Sequence, residues 1–186
     1  VAAYTVSLLQ PKVIRDLDLH AHGLRIVERK LGNFLPLPDG RYLRAGEGVT
    51  QAEVAKFSTR DAERLPEYQA RLDAIADVLR ALVLEPPPNI TEGGWWKTIP
   101  ELLDLFSISA AEYLDRWFES EPVKALFGFD GIVGNYASPH TPGSAYVLLH
   151  HVFGEVNGVK GAWGHAIGGM GAISQTPQVT TPPTQL

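Results

Sequence analysis

Ser58-Thr-Arg-Asp-Ala-Glu-Arg-Leu65-Pro-Glu-Tyr68-Gln-Ala-Arg-Leu72-Asp-Ala-Ile75-Ala-Asp-Val-Leu79-Arg-Ala-Leu82 is the most regular stretch of the chain. Leu65, Tyr68, Leu72, Ile75, Leu79 and Leu82 recur at alternating spacings of three and four, which gathers them on one face of an α-helix. Arg64, Arg71, Asp73, Asp77 and Arg80 fall off that stripe, so the helix is amphipathic and packs on a core. Ser58 with Asp61 supplies a start signal, Pro66 is expected in the first turn or at a kink, and Pro86-Pro87-Pro88 is a stop.

Other helices follow on both sides. Upstream, Thr50 and Glu53 have the spacing of a capping box. Downstream, Ser109 and Glu112 repeat it, flanked by Ile108 and Tyr113 as a hydrophobic staple, and that helix turns Leu114, Trp117 and Phe118 inward. Ser120-Glu-Pro122 opens a helix to Gly128, and Thr141-Pro142 opens one through Phe153, closed by Gly154. Pro11 to Leu19 reads as a short helix with Val13, Ile14 and Leu17 on one face and Gly23 as its C-cap. Residues 90–107 show no such regularity.

Strand signals are few. Leu24 to Arg29 alternates loosely, and Phe34-Leu-Pro-Leu-Pro-Asp39-Gly40-Arg-Tyr-Leu places an Asp-Gly pair between apolar runs, a hairpin signal with Pro36 and Pro38 at a sheet edge. The expected fold class is therefore α+β: a mainly helical domain over residues 1–175, with a small antiparallel sheet formed at least partly by residues 24–45. The Thr/Pro/Gln segment 176–186 is expected to be a flexible tail.

Composition removes several function classes. With 45% apolar and 20% charged residues the chain is an ordinary globular one, and a net charge of −5 without a basic stretch argues against nucleic acid as a partner. No cysteine is present, so disulfides and thiolate metal sites are excluded, and the cytoplasm is the expected compartment. No apolar run approaches the roughly 20 residues needed to span a bilayer.

Motifs for side-chain chemistry are missing. Asp16, Asp18, His20 and His22 alternate, but the apolar spacing around them is helical, and residues two apart on a helix diverge. They read as a helix end with histidines near its C-terminal dipole. His150 and His151 are adjacent and make a poor chelating pair, with one expected to face the core. His140 and His165 fall in loops, so no metal site is expected. There is no Gly-x-Ser-x-Gly elbow. Trp95, Trp96, Trp117 and Trp163 are available to line a pocket or simply to pack. Gly169-Met-Gly-Ala-Ile-Ser174 is one residue away from Gly-x-Gly-x-x-Gly, but only twelve residues follow and none is acidic, so it does not read as a working phosphate loop and no Rossmann dinucleotide unit is expected.

Ser7-Leu-Leu-Gln-Pro-Lys-Val-Ile-Arg-Asp-Leu17, Phe34 to Leu43, Lys56-Phe-Ser-Thr-Arg-Asp61, Tyr113-Leu-Asp-Arg-Trp-Phe-Glu-Ser-Glu-Pro-Val-Lys-Ala125, Pro142-Gly-Ser-Ala-Tyr146 and Gly161-Ala-Trp-Gly through Gly168-Gly-Met-Gly-Ala-Ile173 resemble phytoene-desaturase-like NAD(P)/FAD-dependent oxidoreductases. The resemblance covers about residues 1–175 and implies an internal, substrate-domain piece of such an enzyme. In the intact family FAD takes a hydride from an apolar or amine-like substrate, and the protein supplies orientation and a dry pocket. The resemblance puts Gly168, Gly169, Met170 and Trp163 near the substrate–flavin interface, while their plain alternative is a tight turn into the last helix. It implies no flavin site within this chain, a separate flavin-binding domain as partner, an apolar small molecule as substrate, and little activity alone. The same amphipathic helix and tryptophans would also suit a homo-oligomerising or lipid-like ligand-binding module without redox function.

Overall fold

The computed structural model describes residues 4–86, 89 and 100–175. Among the described residues the fold is α+β, with eight α-helices and six short strands. The strands form three two-stranded pairs, each antiparallel, and contain no βαβ crossover. The chain divides into two compact units, Lys30–Phe153 and a second made of Val1–Arg29 with Gly154–Leu186. Trp95, Trp96 and the segment 176–186 lie outside the described residues.

In the central unit, β2 (Leu31–Pro36) and β3 (Tyr42–Gly46) form the expected hairpin. Its turn is not the two-residue type that Asp-Gly favours, because Asp39 keeps a negative φ. Leu37 N–H donates to Arg41 O and Gly40 N–H to Leu37 O, so Pro38 and Asp39 form an ordinary turn and Gly40 alone is left-handed, at φ 83°. Proline at the second turn position presets that geometry.

The helices α2 (Thr50–Ala55) and α3 (Thr59–Arg80) follow. The capping box predicted at Thr50 and Glu53 does not form. The Thr50 hydroxyl is occupied by the backbone of Gly46, and the Glu53 carboxylate is drawn instead to Arg44 and Lys56. Those two cations hold the Glu53 carboxyl at about 2. In α3, Ser58 caps the helix by accepting from Asp61 N–H, and Leu65, Tyr68, Leu72 and Ile75 are buried as the spacing predicts. Leu79 is only partly buried, and the helix ends at Arg80, before Leu82. Pro66 sits well beyond the first turn. A proline there cannot donate to the carbonyl four residues back. The Gln51 side chain supplies the missing donor, giving Nε2–H to Ala62 O at 2.9 Å.

Next come α4 (Pro100–Ser107), α5 (Ala110–Trp117) and α6 (Glu121–Gly128). The sequence pattern did not predict α4. The Ser109–Glu112 capping box forms in both directions. Ser109→Ala should cost about 1 kcal/mol, the usual worth of such a cap, read as a lower urea midpoint with an unchanged slope. The helix predicted from Thr141 begins later and is mostly a 3-10 helix, Ser144–Leu149, continued by α7 (His150–Phe153). Its start is set by Gly143, left-handed at φ 78°, whose N–H turns to Ser107 O and Ile108 O. The core unites Leu43, Val54, the α3 stripe, Leu102, Leu105, Leu114, Phe118, Leu126 and Leu148. Tyr68 is its aromatic centre, with Phe118 edge-on at 4.9 Å and Trp117 at 5.7 Å.

In the other unit, α1 (Pro11–Asp16) starts on Pro11 as predicted but buries none of its residues. Leu19 and Leu24 are buried instead, joined by a turn in which Gly23 is left-handed at φ 97°. The strand β1 (Ile26–Glu28) pairs with β6 (Gly164–Ala166), so the strands predicted within 24–45 belong to two separate sheets. A third hairpin, β4 (Glu155–Val156) with β5 (Val159–Lys160), turns through Asn157 and Gly158 at φ 51° and 85°. This is the two-residue turn with both φ values positive, and Asn-Gly is its favoured pair. The last element is α8 (Met170–Gln175).

Candidate functional site

The central unit carries a cleft of about 520 Å³, within the range of small-molecule sites. Leu35 from β2, Leu114 from α5, Ala125 from α6, and Phe129 and Ile132 from the turn after α6 give it an apolar lining. Its other lining residues include Asp115, Glu121, Lys124 and His140. Lys124 Nζ bridges Asp115 at 2.8 Å and Glu121 at 2.5 Å, and these carboxylates raise its pKa. The arrangement offers an apolar surface beside a charged cluster.

Behind the residues that line this cleft sits a buried polar cluster. Asp130 lies in the 3-10 turn Phe129–Gly131, its side chain only 13% exposed. Asn33 Nδ2–H donates to Asp130 Oδ1 at 3.3 Å, and His151 Nε2 lies 3.2 Å from the same oxygen. The Phe129 ring stands edge-on to the His151 ring, 6.5 Å between centres. Burial pushes the Asp130 carboxyl up to about 7, against the opposing effect of the Asn33 hydrogen bond. Burial also lowers the pKa of His150, the neighbouring imidazole.

No family model matches the chain. Among curated proteins it is similar to the rat pyridine nucleotide-disulfide oxidoreductase domain-containing protein 2, at 36% identity over 205 aligned residues, and to the mouse protein of that name at 34%. The likeness takes in 93% of this chain. The chain spans about a third of the length of these relatives, 35% in each case. Among solved structures, a mutant from a cofactor-binding redesign of putrescine oxidase aligns with 94% of this chain and 36% of its own, at a TM-score of 0.49 and 18% identity.

The residues singled out in sequence fall in several places. Gly168 and Gly169 form the turn between β6 and α8, both left-handed at φ 86° and 77°, and Met170 begins α8. A side chain at either glycine would be strained by the backbone alone. Trp163 immediately precedes β6, and its carbonyl accepts the Arg29 N–H at 2.7 Å. These four residues therefore share one strand–turn–helix segment. Trp117 packs on Tyr68 in the central core, and neither it nor Trp163 lines the cleft.

Among the described residues no three His, Asp or Glu side chains gather as a metal site. His20 turns its Nδ1 to Leu24 O, and His165 lies against Tyr4. His151 and His150 are both partly buried, where the sequence led us to expect one inside. Asp130 was missed. Its signal is a lone acid inside the apolar run Ala125-Leu-Phe-Gly-Phe-Asp-Gly-Ile-Val133. A charge placed there is buried once the run packs.

Proposed function

We propose that this chain is the substrate-side part of an FAD-dependent oxidoreductase acting on an apolar or amine-like small molecule, in the manner of a phytoene desaturase. The observation that carries the reading is the 36% identity, across 93% of the chain, to a protein named for its pyridine nucleotide-disulfide oxidoreductase domain. FAD, when bound, supplies a hydride acceptor for a substrate C–H bond. The described residues do not fit the dinucleotide half of that cofactor. Every strand pair is antiparallel, and the Gly168-Gly169 turn follows a strand of three residues and leads into a helix of six. The reading therefore assigns the flavin to the rest of such a protein, and gives this chain the tasks of holding substrate and excluding water. The apolar cleft supports the first task. Leu103 and Phe106 on α4 and Tyr146 are exposed, with Phe106 stacked on Tyr146, a surface suited to a flavin-binding partner domain.

Two measurements test this. Titration of the 186-residue chain with FAD, followed by flavin fluorescence, should show no saturable binding. A chimera of the rat relative in which this chain replaces the matching third should purify with flavin bound, seen in its visible absorption. Saturable flavin binding by the chain alone overturns the division of labour. A folded, monodisperse chimera that holds no flavin overturns the reading itself.

A further inference from the structure

We propose that Asp130 and His151 share one proton behind the cleft and make the shape of the cleft respond to pH. Asp130 belongs to the same short turn as Phe129, and Ile132 ends that turn with its N–H on Phe129 O. Phe129 and Ile132 both line the cleft, as does Leu35, two residues along β2 from Asn33. The groups that hold Asp130 are thus the sequence neighbours of the groups that shape the cavity.

The turn is closely packed. A Cβ built on Gly131 would lie 2.9 Å from the Cβ of Ala110 and 3.4 Å from Leu148, so the backbone is seated directly against α5 and the 3-10 helix. Packed interiors of this kind switch between arrangements rather than deform smoothly.

The pair can hold two protons, one or none. With two it is a buried cation, with none a buried anion, and burial penalises both. With one proton it is neutral overall, and the 3.2 Å between Nε2 and Oδ1 is close enough for charge to couple the two groups, although Nε2 is not aligned for a hydrogen bond to that oxygen. The surroundings offer little compensation for a bare carboxylate. From α3 comes Tyr68, whose pKa is raised first by burial and then by the charge of the Asp130 carboxylate. From α7 come His151 and, with its ring 5.3 Å from that of His151, His150. On α6, Lys124 pairs with Glu121 and with Asp115 of α5. Tyr146 of the 3-10 helix is stacked on Phe106, and β2 contributes the neutral Asn33. The raised carboxyl of Asp130 agrees with this setting. Loss of the shared proton leaves a net buried charge, and the turn relieves it by moving Oδ1 towards water, taking Phe129 and Ile132 with it.

The test is an NMR titration of the whole chain from pH 5 to pH 9 in about half-unit steps, spanning the neutral region where imidazoles titrate. The probes are the Asp130 carboxyl carbon, the His151 ring nitrogens and the Ile132 methyl groups. The expected result is a single common midpoint for Asp130 and His151, with the Ile132 methyl shifts moving at that midpoint. In Asp130→Asn the Ile132 response should vanish, and His151→Gln should displace it. Ile132 methyl groups that stay fixed while Asp130 titrates overturn the proposal. So does an Ile132 response that survives unchanged in Asp130→Asn, since it would then come from other groups at the cleft. The wild-type titration needs no variant, so misfolding of either variant leaves the test in force.

Discussion

Asp61→Ala should destabilise the central unit by about 2–5 kcal/mol, the cost of removing a buried carboxylate that accepts two backbone N–H groups. Asp61 is fully buried on the first turn of α3. Its Oδ1 accepts Glu119 N–H and its Oδ2 accepts Ser120 N–H, each at 2.9 Å. Those amides lie at the mouth of α6, where Ser120 is the N-cap residue but makes no side-chain capping bond. A carboxylate from one helix therefore does the capping for another, 58 positions along the chain. Alanine removes the acceptor of both amides. Asn offers one carbonyl oxygen for two donors, so Asp61→Asn should lose roughly half as much. Urea unfolding of the three proteins checks this. An alanine variant within about 0.5 kcal/mol of wild type, the ordinary range for surface changes, would show that water reaches these amides.

Asp61 also shows where sequence reading stops. Ser58, Asp61 and Ser120 were legible as helix starts because capping is local and its spacing is fixed. That Asp61 spends its carboxylate on α6 is a tertiary fact with no spacing to betray it. Thr50 and Glu53 make the same point in reverse: they carry the capping-box spacing, but Gly46, Arg44 and Lys56 compete for their side chains and win. Gln51 opposite Pro66 could not have been predicted either, since only the packing of α2 on α3 brings its amide to Ala62 O.

Periodicity identified α3 because its stripe is long enough to average out exceptions, whereas α4 has eight residues and no start signal. The Asn157-Gly158 hairpin was legible and went unread, its strands being only two residues each. The strand–turn–helix around Gly168 and Gly169 was visible as glycines, which marked a turn and nothing more specific. The cleft and the Asp130 cluster collect side chains from β2, α5, α6, α7 and the loops between them, and no local pattern encodes such a gathering.

Asp130→Asn should leave stability unchanged near pH 4 and raise it above wild type by an amount that grows to about 4 kcal/mol near pH 7, taking about 1.4 kcal/mol per pH unit. The sign follows from the direction of the shift. The folded carboxyl is raised from 3.8 to about 7, so the folded state holds a proton that the unfolded chain has released. The stabilisation is whole below the unfolded value and is lost as pH rises through the folded one. Asn is neutral at every pH, as the protonated acid is, and keeps an oxygen at the position that Asn33 and His151 both approach. Other shifted groups act on the same pH range, Glu53 and His150 among them. Glu53, lowered to about 2, contributes stability above its unfolded value of 4.5 and loses it on acidification. His150, lowered by burial, contributes above 6.5 and loses it as pH falls. Both are present in wild type and variant and cancel in the difference, which reads Asp130 together with its coupling to His151. Urea unfolding of the two proteins at half-unit intervals from about pH 4 to 8 measures that difference across the carboxylate and imidazole ranges. A flat difference would mean that a charged His151, 3.2 Å away, keeps Asp130 ionised throughout, and that the cluster is a fixed ion pair instead of a proton-sharing one.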